Sequence, residues 1–267
     1  KDNINEKIKK IYESYLLSKK ENKRMTRNIT TIPRKKNTGC PNIQVCTYET
    51  NYYCTYTGTT LDIIIGLVYI LQKYPLVTST VDEHFVDNNK LCDYYRSIEV
   101  YTKSRCEFLN FEIIWINKII HLSTNFFDNF RRGLENNNKR FIVIPIGIEM
   151  SKGSHSNYLI FDKDSFELER FEPYGSDNPY MFDYGSKILD ERLKKIFSKE
   201  NKNIKYIRPL DYEPKVGFQF LESGDLYHKQ IGDPGGFCAV WALWYVEQRI
   251  IYADVDRKIL FKKILKN

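Results

Sequence analysis

Apolar and charged residues mix at helical spacing over residues 4–19, where Ile4, Ile8, Ile11, Tyr12, Tyr15 and Leu16 share one face. A basic, Thr/Asn-rich linker follows to about residue 38. "YTGTTLDIIIGLVYILQKYP" predicts a helix with Thr59 or Thr60 as its cap and Pro75 beyond its end. "FLNFEIIWINKIIHLSTNFFDNFRRGL" is dense in apolar residues and predicts one or two more helices over roughly 108–134. After the polar turn "ENNN" the period changes. Residues 140–150 read as a buried strand, and 155–175 as a β-hairpin turning around Lys163–Ser165. A helix near 186–199, a strand at 204–210, an apolar helix at 238–253 and a short basic helix complete the pattern. The expected fold is α+β: a helical N-terminal part, then a central mixed sheet packed on the helix that begins at Cys238. The expected organisation is a basic helix and linker over 1–38 and one domain over 39–267. Within that domain, 39–138 is expected to be mainly helical, and 139–267 to hold the sheet and the Cys238 helix. No internal repeat is visible.

Composition narrows the function classes. Hydrophobic residues make up 42% of the 267, enough for a sizeable core, and aromatics reach 15%. The net charge of +7 resides in the first 40 residues, where Lys7, Lys9, Lys10, Lys19, Lys20, Lys23, Arg24, Arg27, Arg34, Lys35 and Lys36 cluster. Such an arm suits nucleic acid or an acidic partner, or is simply a solvated tail. The rest of the chain is nearly balanced and does not read as a nucleic-acid binder. No apolar run approaches the length of a membrane span, and no secretory signal is present. The chain opens on Lys1 rather than Met, which suggests a piece of a longer product. Six cysteines in a chain of this length suggest a reducing compartment. Cys40, Cys46 and Cys54 lack the tight spacing of a zinc site, and no Gly-rich loop leads into Lys-Ser/Thr, so neither metal nor nucleotide is expected. No cofactor is implied.

The chemistry concentrates at "GDPGGFCAVWALWY" (232–245). Cys238 stands where a flexible loop enters an apolar helix. A helix N-terminus favours a thiolate, and Gly235 and Gly236 allow close backbone approach and offer N–H groups to an oxyanion. A free cysteine there can equally be a small core residue. Nucleophilic chemistry also needs a base and a group that orients it. Of His84, His121, His155 and His228, only His155 opens a strand after a turn ("KGSHSNYLIFDKD"). With Asp164 and Ser165 at the turn, Lys163 faces Phe166, Asn157 faces Glu172 and His155 faces Tyr174. Glu172 then shares the face of His155, one step diagonal. Asn157 shares that face too, while Asp162 has the wrong parity. Gln219 and Gln230 both precede the Cys238 loop and are both candidates for an oxyanion donor.

At "GSHSNYLIFDK" (153–163), "ERFEPYGS" (169–176) and "GDPGGFCAVWALWY" the sequence resembles cysteine proteases of giant nucleocytoplasmic DNA viruses. These in turn are similar to the adenovirus-type and SUMO- or ubiquitin-like-protein-processing proteases. "GTTLDIIIGL" and "FLNFEIIWI" fit the same resemblance, which covers about 58–250 and not the basic arm. It implies Cys238 as nucleophile, His155 as base and Glu172 as orienting residue, where many relatives carry Asp or Asn. It also implies a ubiquitin or ubiquitin-like substrate cleaved after a Gly-Gly tail. A narrow aromatic channel suits such a tail, with Gly235, Gly236, Trp241 and Tyr174 as the substrate-binding candidates. Two departures stand out. Ala239 follows Cys238 where many cellular relatives have Gly, and Gln219 and Gln230 lie 19 and eight residues before the thiol, further than is usual. The alternatives are processing of a viral structural polyprotein, and a non-catalytic binding module whose basic arm docks on nucleic acid. The expected location is host cytoplasm or virion.

Overall fold

The computed structural model describes residues 44–48, 51–55, 60–81, 89–99, 111–150, 153–177, 184–219, 231–232 and 237–265, all within the compact unit Gln44–Asn267. The basic arm and the boundary expected at residue 38 lie outside the described residues. The frame is a seven-stranded mixed sheet in the order β5-β4-β6-β7-β8-β9, with β3 also pairing β6. Its strands are β3 (Val77–Ser79), β4 (Ile113–Ile116), β5 (Ile119–Leu122), β6 (Phe141–Met150), β7 (Gly153–Asp162), β8 (Glu167–Phe171) and β9 (Lys205–Ile207). Strands β1 (Gln44–Tyr48), β2 (Asn51–Thr55) and β10 (Ile231–Gly232) form a separate three-stranded sheet.

Central strand β6 is flanked by antiparallel β7 on one side and by parallel β3 and β4 on the other. Its run "FIVIPIGIEM" is buried from Phe141 to Ile148, as a strand covered on both faces must be. One face, with Val143, Tyr158, Ile160 and Phe171, packs on helix α1 (Thr60–Lys73) and on α6 (Phe237–Ile251), the helix of Cys238, and α7 (Arg257–Ile264). The other, with Ile142, Ile144, Leu159 and Leu168, packs on α3 (Phe126–Glu135) and α4 (Ser186–Glu200). Helices α2 (Asn89–Ser97) and α5 (Pro209–Tyr212) complete the described set. This is the expected α+β arrangement of a mixed sheet packed on the Cys238 helix.

The stretch 108–134 corrects the sequence reading. Residues 113–122 form the β4–β5 hairpin rather than a helix, and the helix begins only at Phe126. Asn117 and Lys118 form a two-residue turn with φ of 51° and 61°, the left-handed pair that suits the twist of a hairpin. "IIWINKIIHL" is therefore β-branched residues around an Asn-led turn, and His121 sits on a strand. The β7–β8 hairpin has the expected register, with Asp162 opposite Glu167 and Tyr158 opposite Phe171.

Candidate active site

β7 and β8 lie side by side and end at the same rim of the sheet. His155 stands near the start of β7, and Glu172 directly follows β8. Continuing the pairing one residue past Phe171 sets Glu172 opposite Asn157, with its carboxylate reaching diagonally to the imidazole: His155 Nε2 and Glu172 Oε1 are 2.7 Å apart. Both side chains are almost fully buried. Cys238, the second residue of α6, is 6% exposed and lies near enough to the His155 imidazole to raise its pKa. With Nε2 engaged by Glu172, Nδ1 is the ring nitrogen left for the thiol. The His155 ring lies against Tyr174, with centroids 5.1 Å apart.

Glu172 is held on every side. Oε1 also accepts the Tyr174 N–H at 3.0 Å, Oε2 accepts from Asn157 Nδ2 at 3.1 Å and from the Tyr184 hydroxyl, and the Glu172 N–H donates to Glu213 Oε1 at 2.9 Å. Asn157 therefore bonds Glu172 rather than His155, and Asp162 is taken by Arg140 at 3.0 Å. Beneath lies Arg170, with no exposed surface. It forms two bonds to Asp190 of α4, at 2.7 and 3.0 Å, and donates to Asn157 Oδ1 at 2.5 Å and the Tyr184 hydroxyl at 2.8 Å. Trp115 Nε1 holds Tyr184 in turn, donating to its carbonyl at 2.8 Å.

These contacts set the charges. Burial by itself would lower the imidazole pKa; the Glu172 charge and the bonds to Cys238 and Glu172 outweigh it and push His155 up to about 10. Burial would likewise raise the Glu172 pKa, but the imidazolium, Arg170 and the Tyr184 hydroxyl bring it down to about 2. At neutral pH the two form a desolvated ion pair beside the Cys238 sulfur.

The remaining site candidates divide. Gln219 is 2% exposed and its N–H donates to Pro173 O at 3.1 Å, so the chain at Gln219 runs beside the Glu172 turn. Its neighbour Phe218 stacks on Trp241 at 5.4 Å, one helical turn past Cys238. Trp241 thus belongs to an aromatic cluster with Phe218 and Trp244, while Tyr174 lies at the imidazole. Gln230, Gly235 and Gly236 lie outside the described residues, as do His84, His228 and the side chains of Cys46 and Cys54. Tyr184, Arg170, Asp190 and Glu213 were not visible as site residues in the sequence. Arg170 had a signal: it stands two before Glu172, hence on the same face.

No family model matches the chain. It is 36% identical over 246 residues to a putative ankyrin repeat protein of Acanthamoeba polyphaga mimivirus, a match covering 89% of this chain and 32% of that protein. The chain therefore spans about a third of the length of the curated relative it matches. The described residues form a sheet-centred fold rather than the stacked helix pairs of an ankyrin array. Among solved structures, the chain is similar to the SUMO protease Ulp1 at 14% identity and a TM-score of 0.35, covering 76% of this chain and 72% of that one. It is similar to the Chlamydia trachomatis effector ChlaDUB1 at 11% identity and a TM-score of 0.35, over 79% and 83% of the two chains. The Chlamydia abortus effector ChlaDUB gives 10% identity and a TM-score of 0.36, over 79% and 91%. Scores this low establish neither a family nor an activity.

Proposed function

We propose that the protein is a cysteine peptidase in which Cys238, His155 and Glu172 act as nucleophile, base and orienting residue. The observation that carries this reading is the buried His155–Glu172 contact at 2.7 Å, on an imidazole whose pKa Cys238, at a helix start, also raises. A structural cysteine needs no imidazole, and a structural histidine needs no carboxylate held by four donors. In the reaction, the Cys238 sulfur attacks the scissile carbonyl carbon while the imidazole holds the thiol proton. That proton then passes to the leaving amine, and the resulting thioester is hydrolysed by water that His155 deprotonates. The Gln219 amide is the proposed side-chain donor to the tetrahedral oxyanion, Gln230 being the other candidate, with N–H groups of the loop at Gly235 and Gly236 completing the hole.

The proposed substrates are ubiquitin or ubiquitin-like conjugates cleaved after a Gly-Gly tail. The sequence resemblance at 153–163, 169–176 and 232–245 supports this class, and the aromatic setting at Tyr174 and Trp241 suits a tail without side chains. A panel of ubiquitin and SUMO proteins carrying a C-terminal electrophile tests it. Labelling of the wild type by one modifier, lost in Cys238→Ala, is the expected result. A Cys238 that alkylates readily yet reacts with no modifier would remove this substrate class and favour polyprotein processing. A Cys238 inert to all electrophiles would leave a binding module.

A further inference from the structure

The segment after α5 is zipped onto the turn after β8. Glu213 Oε1 accepts the Glu172 N–H at 2.9 Å. The Gly217 N–H donates to Tyr174 O at 2.8 Å, Gln219 N–H to Pro173 O at 3.1 Å and Ser176 N–H to Pro214 O at 2.9 Å. The backbones touch at two glycines: a Cβ on Gly217 would meet Gly175 N and Pro173 O at 2.4 Å, and one on Gly175 would meet Gly217 N at 2.5 Å. The spacing of the two segments is therefore set by main chain against main chain. One carries the residue that orients His155; the other leads from Glu213 to Gln219.

Resting on the peptidase reading above, we propose that Glu213 is a positioning residue, whose bond to the Glu172 N–H couples the His155–Glu172 pair to the segment that ends at Gln219. It makes this bond as a neutral acid. The residue is 7% exposed, and Oε2 is buried with no hydrogen-bond partner among the described residues, a setting an ionised carboxylate does not tolerate. Since Oε1 accepts the Glu172 N–H, the proton resides on Oε2. Burial above all, with the Glu172 charge adding to it, pushes this carboxyl well above the usual range, against the opposing pulls of the Glu172 N–H bond, Arg170 and Tyr212. The other titratable groups facing it are the phenols of Tyr212 on α5 and Tyr245 on α6, both raised by burial. Two glutamates, one bonding the other's backbone N–H, are thus split in role: Glu172 carries the charge that His155 needs, and Glu213 adds no second anion to compete for it.

The test uses Glu213→Gln, which keeps a neutral acceptor for the Glu172 N–H, and Glu213→Met, which keeps the volume and removes the acceptor. Two quantities are measured against pH in the whole chain: Tm, and the rate at which iodoacetamide alkylates Cys238. Glu213→Gln is expected to keep the wild-type alkylation profile. Its Tm should exceed that of the wild type by a gap that widens from pH 5 to pH 8, because the folded wild type retains a proton that the unfolded chain releases near pH 4.5. Glu213→Met is expected to alkylate about tenfold more slowly at neutral pH, the effect of one pKa unit on the thiolate–imidazolium pair. Wild-type alkylation in Glu213→Met, or equal loss in both variants, overturns the proposal. Should Glu213→Met not fold, a Tm gap for Glu213→Gln that stays flat with pH overturns it. Iodoacetamide requires no ubiquitin-like substrate, so failure of the substrate reading leaves this test intact. Alkylation unaffected by His155→Ala would instead show that the peptidase reading itself had failed.

Discussion

Cys238 and His155 meet because a strand end and a helix start converge at one rim of the sheet, and their chemistry is local to that contact. Cys238→Ala removes the proposed nucleophile but little packing, so hydrolysis and probe labelling should disappear while Tm stays within a few degrees of wild type. A large fall in Tm would mark Cys238 as a core residue instead. Glu172→Gln keeps the shape of the orienting group and removes its charge. The His155 pKa, held at about 10 chiefly by that charge working against burial, should then fall toward or below its ordinary value, as an NMR titration of the imidazole would show. Turnover should drop less than in His155→Ala, which removes the proposed general base, a loss that typically costs about 10²–10⁴-fold.

Two short elements carry consequences of their own. The β4–β5 turn holds Lys118 at φ 61°, a region costly for any residue with a Cβ. Lys118→Gly should relieve this and stabilise the domain by about 0.5–1 kcal/mol in a denaturant titration, with activity unchanged. A destabilised variant would show that the Lys118 side chain contributes more than its backbone costs. The segment from Glu213 to Gln219 is bonded to the turn that carries Glu172. If Gln219 donates to the oxyanion, Gln219→Ala should cost about 10²–10³-fold in kcat with little change in KM. An intact kcat would return the role to Gln230 or to the loop N–H groups. The "IIWINKIIHL" hairpin is hard to tell from a helix in sequence for a plain reason: short apolar runs look alike as strand or buried helix, and Asn-Lys signals a turn less loudly than Asn-Gly.

At the scale of the molecule, the site is anchored through buried charge. Arg170 and Asp190 join the sheet to α4, with side chains 0% and 6% exposed. Removing one partner of a buried pair leaves the other uncompensated, so Asp190→Ala should cost about 3–5 kcal/mol, and pairing it with Arg170→Met should recover part of that loss. Strict additivity of the two would refute the coupling. The His155–Glu172 pair makes stability depend on pH. His155 titrates higher in the folded chain than its ordinary 6.5, so its contribution is full below pH 6.5 and is lost as pH rises toward 10. Glu172 titrates lower than its ordinary 4.5, so its contribution is present above pH 4.5 and is lost as pH falls toward 2. The Tm advantage of wild type over Glu172→Gln should therefore be greatest between about pH 4.5 and 6.5. An advantage that does not change with pH would mean the pair is not ionised as described.

The sequence alone determined the parts whose signals are local. Alternation and turn chemistry set the β7–β8 hairpin and its register, because one face of each strand must be buried and a one-residue slip would invert both. The same register placed Glu172 on the face of His155, and the apolar run after Cys238 marked α6. What only the tertiary structure decided were contacts between residues far apart in the chain. Nothing near Glu213 in sequence shows that its carboxyl bonds the Glu172 N–H forty-one residues earlier, or that Gly217 must be small to lie on Gly175. Nor does the pattern reveal that Tyr184 and Arg170 converge on Asn157 and Glu172. Hydrophobic periodicity reports which face of an element is buried. Which polar groups meet inside depends on how the elements pack, and there the requirement that each buried polar atom find a partner selects the arrangement.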